Sequence, residues 1–221
     1  MYVLHSFPDT ASLIVRLVLA EIGTPHVCPV IDREAGALDS AAYRAMQPMG
    51  LIPALETPDG TMFESAAMLL YLVERHGTLG PQPGDPDRAA FLAWFVFINN
   101  SVHTTLMHLF YPERLAGEDH VAAVVAHARA RMHTYLSMLD EMVATRRPGW
   151  LSPDQPGVAG YYLGVLVRWL ATYGPGHPSY FRSADYPALH RVLLAHEARP
   201  AALACAEAEA LGPTIFTAPA Y

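Results

Sequence analysis

No lysine occurs anywhere in the chain: all 14 basic residues are arginines. There is no dense basic cluster either, and 21 acidic residues leave a formal net charge of -7. That balance excludes a nucleic-acid backbone as the main partner and suits an anionic membrane surface no better. Cysteine is almost as scarce. Cys28 and Cys205 are too few and too far apart for a disulfide framework, and no Cys-x-x-Cys pair occurs. Metal-ligand spacing is also missing. His103 and His108 do not fall on one helical face, so no metal site is expected despite 11 histidines. Long apolar runs are lacking as well. The stretch Leu13 to Ala20 is broken by Arg16 and is too short to span a bilayer. The start, Met1 to Phe7, has no basic region leading into a long apolar run. The expected compartment is a reducing cytoplasm.

What is present is core material. Of 221 residues, 52% are hydrophobic and only 16% charged, which is too apolar for a disordered chain and enough for two small domains. The pattern changes near residue 80. Before it, short apolar runs alternate with helical periods. Tyr2 to His5 reads as a strand, and Ser12 to Ile22 as a helix stopped by Gly23. Pro25 to Ile31 reads as a strand and Asp39 to Met46 as a helix. Leu51 to Leu55 and Thr61 to Phe63 flank the turn signal Pro58-Asp59-Gly60 and read as a hairpin. Ser65 to His76 is a helix closed by Gly77. The order is βαβαββα, an α/β unit over residues 1–77. Pro53 falls inside a strand pattern, which marks an edge, a bulge or a cis peptide bond.

Residues 78–86 are rich in Gly and Pro and read as a linker. Residues 87–221 read as an all-helical bundle domain. Phe91, Trp94, Phe95, Ile98 and Val102 recur at helical steps. A long helix is expected over 120–143 and a strongly apolar central one over Gly160 to Tyr173. Tyr186 to His196 and Pro200 to Ala210 follow, with an extended surface tail from Gly212 to Tyr221.

The βαβαββα order, the Ile52-Pro53 step and Glu64-Ser65 opening a helix together resemble a cytosolic glutathione transferase. The likeness runs over essentially the whole chain. Asn100-Ser-Val-His103 with Leu109-Phe110 is similar to the segment that bacterial beta-class members place beside glutathione. Pro8-Asp-Thr-Ala-Ser-Leu13 is similar to the turn that opens their first helix. The resemblance implies a thioredoxin-like domain followed by a helical domain, a homodimer, glutathione as substrate and a small electrophilic co-substrate, in detoxification or a related glutathione-dependent reaction. A non-catalytic glutathione-binding or regulatory protein of the same fold is the alternative.

Glutathione carries two carboxylates, an ammonium and a thiol. Its main chain can pair with an exposed strand edge, and Ile52, before Pro53, is placed to offer its N–H and C=O. The start of a helix at Ser65 suits a carboxylate, with Glu64 available to the ammonium; Ser65 as a plain N-cap is the structural alternative. The thiol must be ionised. A free thiol of pKa about 8.5 is only ~3% thiolate at pH 7, and lowering it by about two units takes roughly 2.7 kcal/mol. Thr10 and Ser12 carry the hydroxyls nearest the first helix start, either to donate to the thiolate or merely to cap the helix. His5 is an outside candidate. His103, with Asn100 on its face, is either a ligand contact or a structural histidine. Phe7, His103, Met107, Phe110 and Tyr111 are candidate walls for the electrophile.

Three departures stand out. The beta-class cysteine position falls on Ala11, so the mixed-disulfide chemistry of that class is expected to be missing. The lysine that the class uses on the glycyl carboxylate is absent, with Arg33 the nearest basic residue. The capping box expected at the core helix reads Gly157-Val-Ala-Gly160, so a loosely closed helix start is expected.

Overall fold

The computed structural model describes residues 1–219. Strand β1 (Tyr2–His5) alternates buried and half-buried side chains, so Tyr2 and Leu4 face the core. Helix α1 (Ser12–Ile22) follows, with Leu13, Ile14, Val15, Leu17, Val18 and Leu19 all fully buried. So wide an apolar surface needs cover on several sides, and α1 is packed between the sheet and helices of the second half. It stops at Gly23, whose φ of 72° is the left-handed value glycine adopts without strain.

Strand β2 is only His26–Val27, with an isolated bridge from Ser6 to Val30 beyond it. The expected strand over 25–31 is shorter because Pro25 and Pro29 have no N–H to give the ladder. Helix α2 (Ala41–Met46) starts two residues later than expected, behind a 3-10 turn at Ala37–Asp39. Ser40 is its N-cap, and the Ser40 hydroxyl accepts the Tyr43 N–H at 3.1 Å. Strands β3 (Ala54–Thr57) and β4 (Gly60–Met62) form the hairpin, and β3 begins just after Pro53 because the ladder needs an N–H there. The Ile52–Pro53 peptide is cis. Helix α3 (Ser65–His76) ends at Gly77, as its sequence pattern indicates. The sheet order is β2-β1-β3-β4, with β1 and β2 parallel and the other pairs antiparallel.

The second half is helical: α4 (Arg88–Phe97), α5 (Thr104–Phe110), α6 (Glu113–Ala116), α7 (Val121–Arg146), α8 (Val158–Ala171), α9 (Pro187–Glu197) and α10 (Pro200–Ala208). A π-helical segment, Ile98–His103, joins α4 to α5. Helix α8 is the centre of the bundle, buried on nearly every face and touching α1 and α9. Its start is firmly closed, contrary to expectation. The Val158 N–H donates to Leu79 C=O at 2.8 Å, and the Gly157 N–H donates to His196 Nε2 at 3.1 Å. A capping side chain has no room: a Cβ at Gly157 would lie 2.4 Å from Trp150 O. The tail also departs from expectation. Ile215 and Phe216 are fully buried, and the Glu197 carboxylate accepts the N–H groups of Phe216 and Thr217 at 3.0 Å each. Its last two residues, Ala220 and Tyr221, lie outside the described residues.

Candidate functional site

The strand register brings three segments to one end of the sheet. His5 of β1 pairs with Ala54 of β3, and Leu55 pairs with Met62 of β4. The turn after β1, the Ile52–Pro53 step before β3 and the Glu64–Ser65 start of α3 are therefore neighbours.

Each segment is held by identifiable bonds. The buried Tyr43 hydroxyl of α2 donates to Leu51 C=O at 2.7 Å and fixes the chain entering Ile52. Ile52 itself has neither its N–H nor its C=O paired among the described residues. At α3, the N–H groups of Ser65, Ala66 and Ala67 find no acceptor, since the first helical bond runs from Met68 N–H to Glu64 C=O. Glu64 has φ 70° and ψ 106°, carries its carboxylate exposed and caps nothing with it. An exposed carboxylate beside three free N–H donors is a dipolar cradle for a zwitterionic end group.

The turn holding Thr10 and Ser12 is tightly bonded. Ser12 is fully buried. Its Oγ accepts the Phe7 N–H at 3.2 Å, stands 3.0 Å from Phe7 C=O and 2.9 Å from Thr10 Oγ1. Thr10 Oγ1 lies 2.8 Å from the same carbonyl and is half-buried. Both hydroxyls donate to Phe7 C=O, and Ser12 keeps that carbonyl bonded when the Thr10 proton turns to a ligand. Of the two expected hydroxyls, Ser12 is fully buried and the half-buried Thr10 has the path to the surface. His5 is engaged differently: its Nε2 stands 2.7 Å from Glu56 Oε1 on the sheet.

Helix α8 and the π segment cover the same end. The Tyr162 hydroxyl donates to Asn99 Oδ1 at 2.7 Å and stands 2.9 Å from His103 Nδ1. Since the Tyr162 proton goes to Asn99, His103 donates from Nδ1 and keeps Nε2 bare, without a partner among the described residues. Burial pushes the His103 pKa down to about 4, so the ring is neutral at physiological pH. Burial pushes the Tyr162 hydroxyl up, with the Glu64 carboxylate adding to it. Asn100 is exposed and only accepts from Asn99 Nδ2 at 2.8 Å. The expectation that Asn100 shares the His103 face is corrected: the wider π turn brings Asn99, four residues before His103, to their common partner Tyr162.

Sequence reasoning missed Asn99, Tyr162 and Trp169. Tyr162 and Trp169 sit on a helix so apolar that it reads as core throughout. Beyond His103, Phe110 meets Tyr173 edge-on at 5.8 Å and Tyr173 stacks on His177 at 4.5 Å, extending an aromatic wall past the exposed Met107 and Tyr111. Phe7 lies under the Arg33 guanidinium at 4.9 Å, and Arg33 pairs with no carboxylate among the described residues. A cavity of about 510 Å³ opens elsewhere, between residues 78–87 and the approach to α8, and shares none of these groups.

Comparison with known proteins finds matches in both halves of the chain. The model for "Glutathione S-transferase, N-terminal domain" matches residues 11–75, and that for "Glutathione S-transferase, C-terminal domain" matches residues 122–195. Over 169 residues the chain is 28% identical to glutathione S-transferase GST-4.5 of Xanthomonas campestris pv. campestris, spanning 75% of this chain and 81% of that one. A glutathione-S-transferase from Xylella fastidiosa superposes with a TM-score of 0.78 at 26% identity, covering 96% of this chain and all of that one, 100%. A sphingomonad glutathione S-transferase, solved in complex with glutathione, superposes with a TM-score of 0.76 at 28% identity, covering 95% of this chain and 100% of its own.

Proposed function

We infer the function from what the two matched models establish together over more than half of the sequence: this chain belongs to the glutathione S-transferase family. It is a glutathione S-transferase-like enzyme that activates the thiol of glutathione for attack on a small hydrophobic electrophile. The observation that carries the site assignment is the convergence, at one end of the sheet, of unpaired main-chain groups at Ile52, free N–H donors at the start of α3, the exposed Glu64 carboxylate and the Thr10 hydroxyl.

In this reading the glutathione backbone pairs with Ile52, beside Pro53. The γ-glutamyl carboxylate lies on the α3 N-terminus and the Ser65 hydroxyl, and its ammonium faces Glu64. The sulfur then falls near Thr10, which donates to the thiolate while Ser12 keeps Phe7 C=O satisfied. Arg33, the basic residue at this end without a carboxylate partner, faces the glycyl carboxylate. His103 closes the pocket as a neutral ring, and the aromatic wall at Phe110 and Tyr173 receives the electrophile. With Ala11 in the cysteine position, the enzyme forms no mixed disulfide there. Its domains are residues 1–77 and 87–221, joined by 78–86, and it works as a cytoplasmic homodimer.

Glu64→Ala or Ser65→Ala is expected to weaken glutathione binding about tenfold, the loss of one charge-assisted contact. Calorimetry reads this directly, and an unchanged affinity would remove the assigned site.

A further inference from the structure

We propose that Asp9 is a positioning residue for thiol activation: it docks the turn after β1 onto α8 and so sets where the Thr10 hydroxyl stands. The inference rests on the role given to Thr10 and goes beyond it. Asp9 has φ 53°, in the left-handed region where a glycine would fit at less cost. The side chain is what this position uses. Arg168 Nε donates to Asp9 Oδ1 at 2.8 Å and Arg168 Nη2 to Oδ2 at 2.9 Å, a two-point fork, while Trp169 Nε1 donates to Oδ1 at 3.0 Å.

The same residue is gripped at its main chain. The Asp9 N–H donates to Glu209 Oε2 at 2.9 Å, and Glu209 Oε1 takes Arg16 Nη1 at 3.1 Å. Arg168 is only 1% exposed and also reaches Ile215 C=O at 3.2 Å. An arginine buried this deeply requires a carboxylate, and Asp9, a carboxylate it meets with two bonds, is next in sequence to Thr10. Trp169 lies against His103 at 5.8 Å, so the fork also ties the turn to the histidine wall. Arg168 and Trp169 are fixed on a helix packed on all sides. A turn anchored to them holds its hydroxyls within the few tenths of an ångström that a hydrogen bond to a thiolate tolerates.

The sign of one measurement separates three possible roles. Asp9→Asn keeps the size and a carbonyl acceptor but loses the charge-assisted fork. If Asp9 positions Thr10, the bound thiol pKa rises. If Asp9 acts only by offsetting the Arg168 charge, its loss makes the surroundings of the sulfur more positive and the pKa falls. A purely structural role moves the melting temperature and leaves the thiol pKa alone.

The test is the ultraviolet absorbance of bound glutathione thiolate against pH, for Asp9→Asn in the wild-type and in the Thr10→Val background, with glutathione affinity from calorimetry. The expected result is a rise of about one unit, a tenfold loss of thiolate well below the pKa. Affinity stays within about twofold, as the end groups of glutathione are held elsewhere. No further rise is expected once Thr10 is valine. A fall, no change, or an equal rise in both backgrounds would overturn the proposal while leaving Thr10 in its role. A Thr10→Val enzyme with an unaltered thiol pKa would instead remove the Thr10 reading, and this proposal with it. Should Asp9→Asn fail to fold, Trp169→Phe removes one bond and spares the fork; a smaller rise is expected there, and no rise would count against the role.

Discussion

Thr10 and Ser12 carry the same functional group two residues apart, and their surroundings give them different work. Ser12 is buried and holds Phe7 at both its N–H and its C=O, while Thr10 donates to the same carbonyl and is half-buried. His103 shows a similar division between chemistry and surroundings. Its ring titrates near 6.5 when unfolded and at about 4 in the fold. Between those values the unfolded chain binds the proton first, so stability is full above pH 6.5 and falls as pH drops toward 4. The loss reaches about 3 kcal/mol from this residue, and His196, also lowered mainly by burial, adds to it with the same sign. His103→Gln should flatten the acid limb of stability measured by urea denaturation between pH 7 and 4; an unaltered slope would show that the ring is not held neutral. At this scale the sequence was partly legible. Glu64-Ser65 and Ile52-Pro53 were visible as residue types in order. The choice between Thr10 and Ser12 was not, because it depends on which hydroxyl is buried and on one shared carbonyl.

Elements with their own start and stop signals were legible to the residue. Helix α1 and helix α3 run as read, each ending on a glycine with positive φ. Elements decided by distant neighbours were not. The π segment at Ile98–His103 leaves no mark in the apolar pattern, yet it decides that Asn99 and not Asn100 meets Tyr162. The start of α8 reads as open in the sequence because no capping side chain is present, but its donors are taken by Leu79 and His196 from other elements. Gly157 is there for lack of space. Gly157→Ala should therefore cost at least about 2 kcal/mol, since its Cβ would press on a backbone carbonyl that cannot swing aside. Thermal or urea denaturation checks this, and a variant of wild-type stability would mean that the Trp150 segment yields.

At the scale of the molecule, the sheet half supplies the groups assigned to glutathione and the helical half supplies the ceiling and the anchor. The two meet through α1 against α8 and α10, and through charged pairs such as Glu21 with Arg199, whose fork measures 2.6 and 3.0 Å. The βαβαββα order followed by helices was readable because its hydrophobic periods switch near residue 80. The contacts across the join were not, since Asp9 and Arg168 lie far apart in sequence and neither stands in a recognisable pattern. Exposed apolar side chains at Met49, Leu51 and Phe63, flanking the β3–β4 hairpin, are compatible with a second copy of the chain covering that side. A dimer is expected in light scattering at micromolar concentration, and a monomer there would contradict the homodimer proposal.

The proposed enzyme binds glutathione and ionises its thiol through Thr10. Titrating the protein with glutathione while following thiolate absorbance measures both steps. A bound thiolate at neutral pH is expected, largely lost in Thr10→Val with little change in affinity. Binding with the thiol still protonated would contradict it and leave a glutathione-binding protein without the activation step.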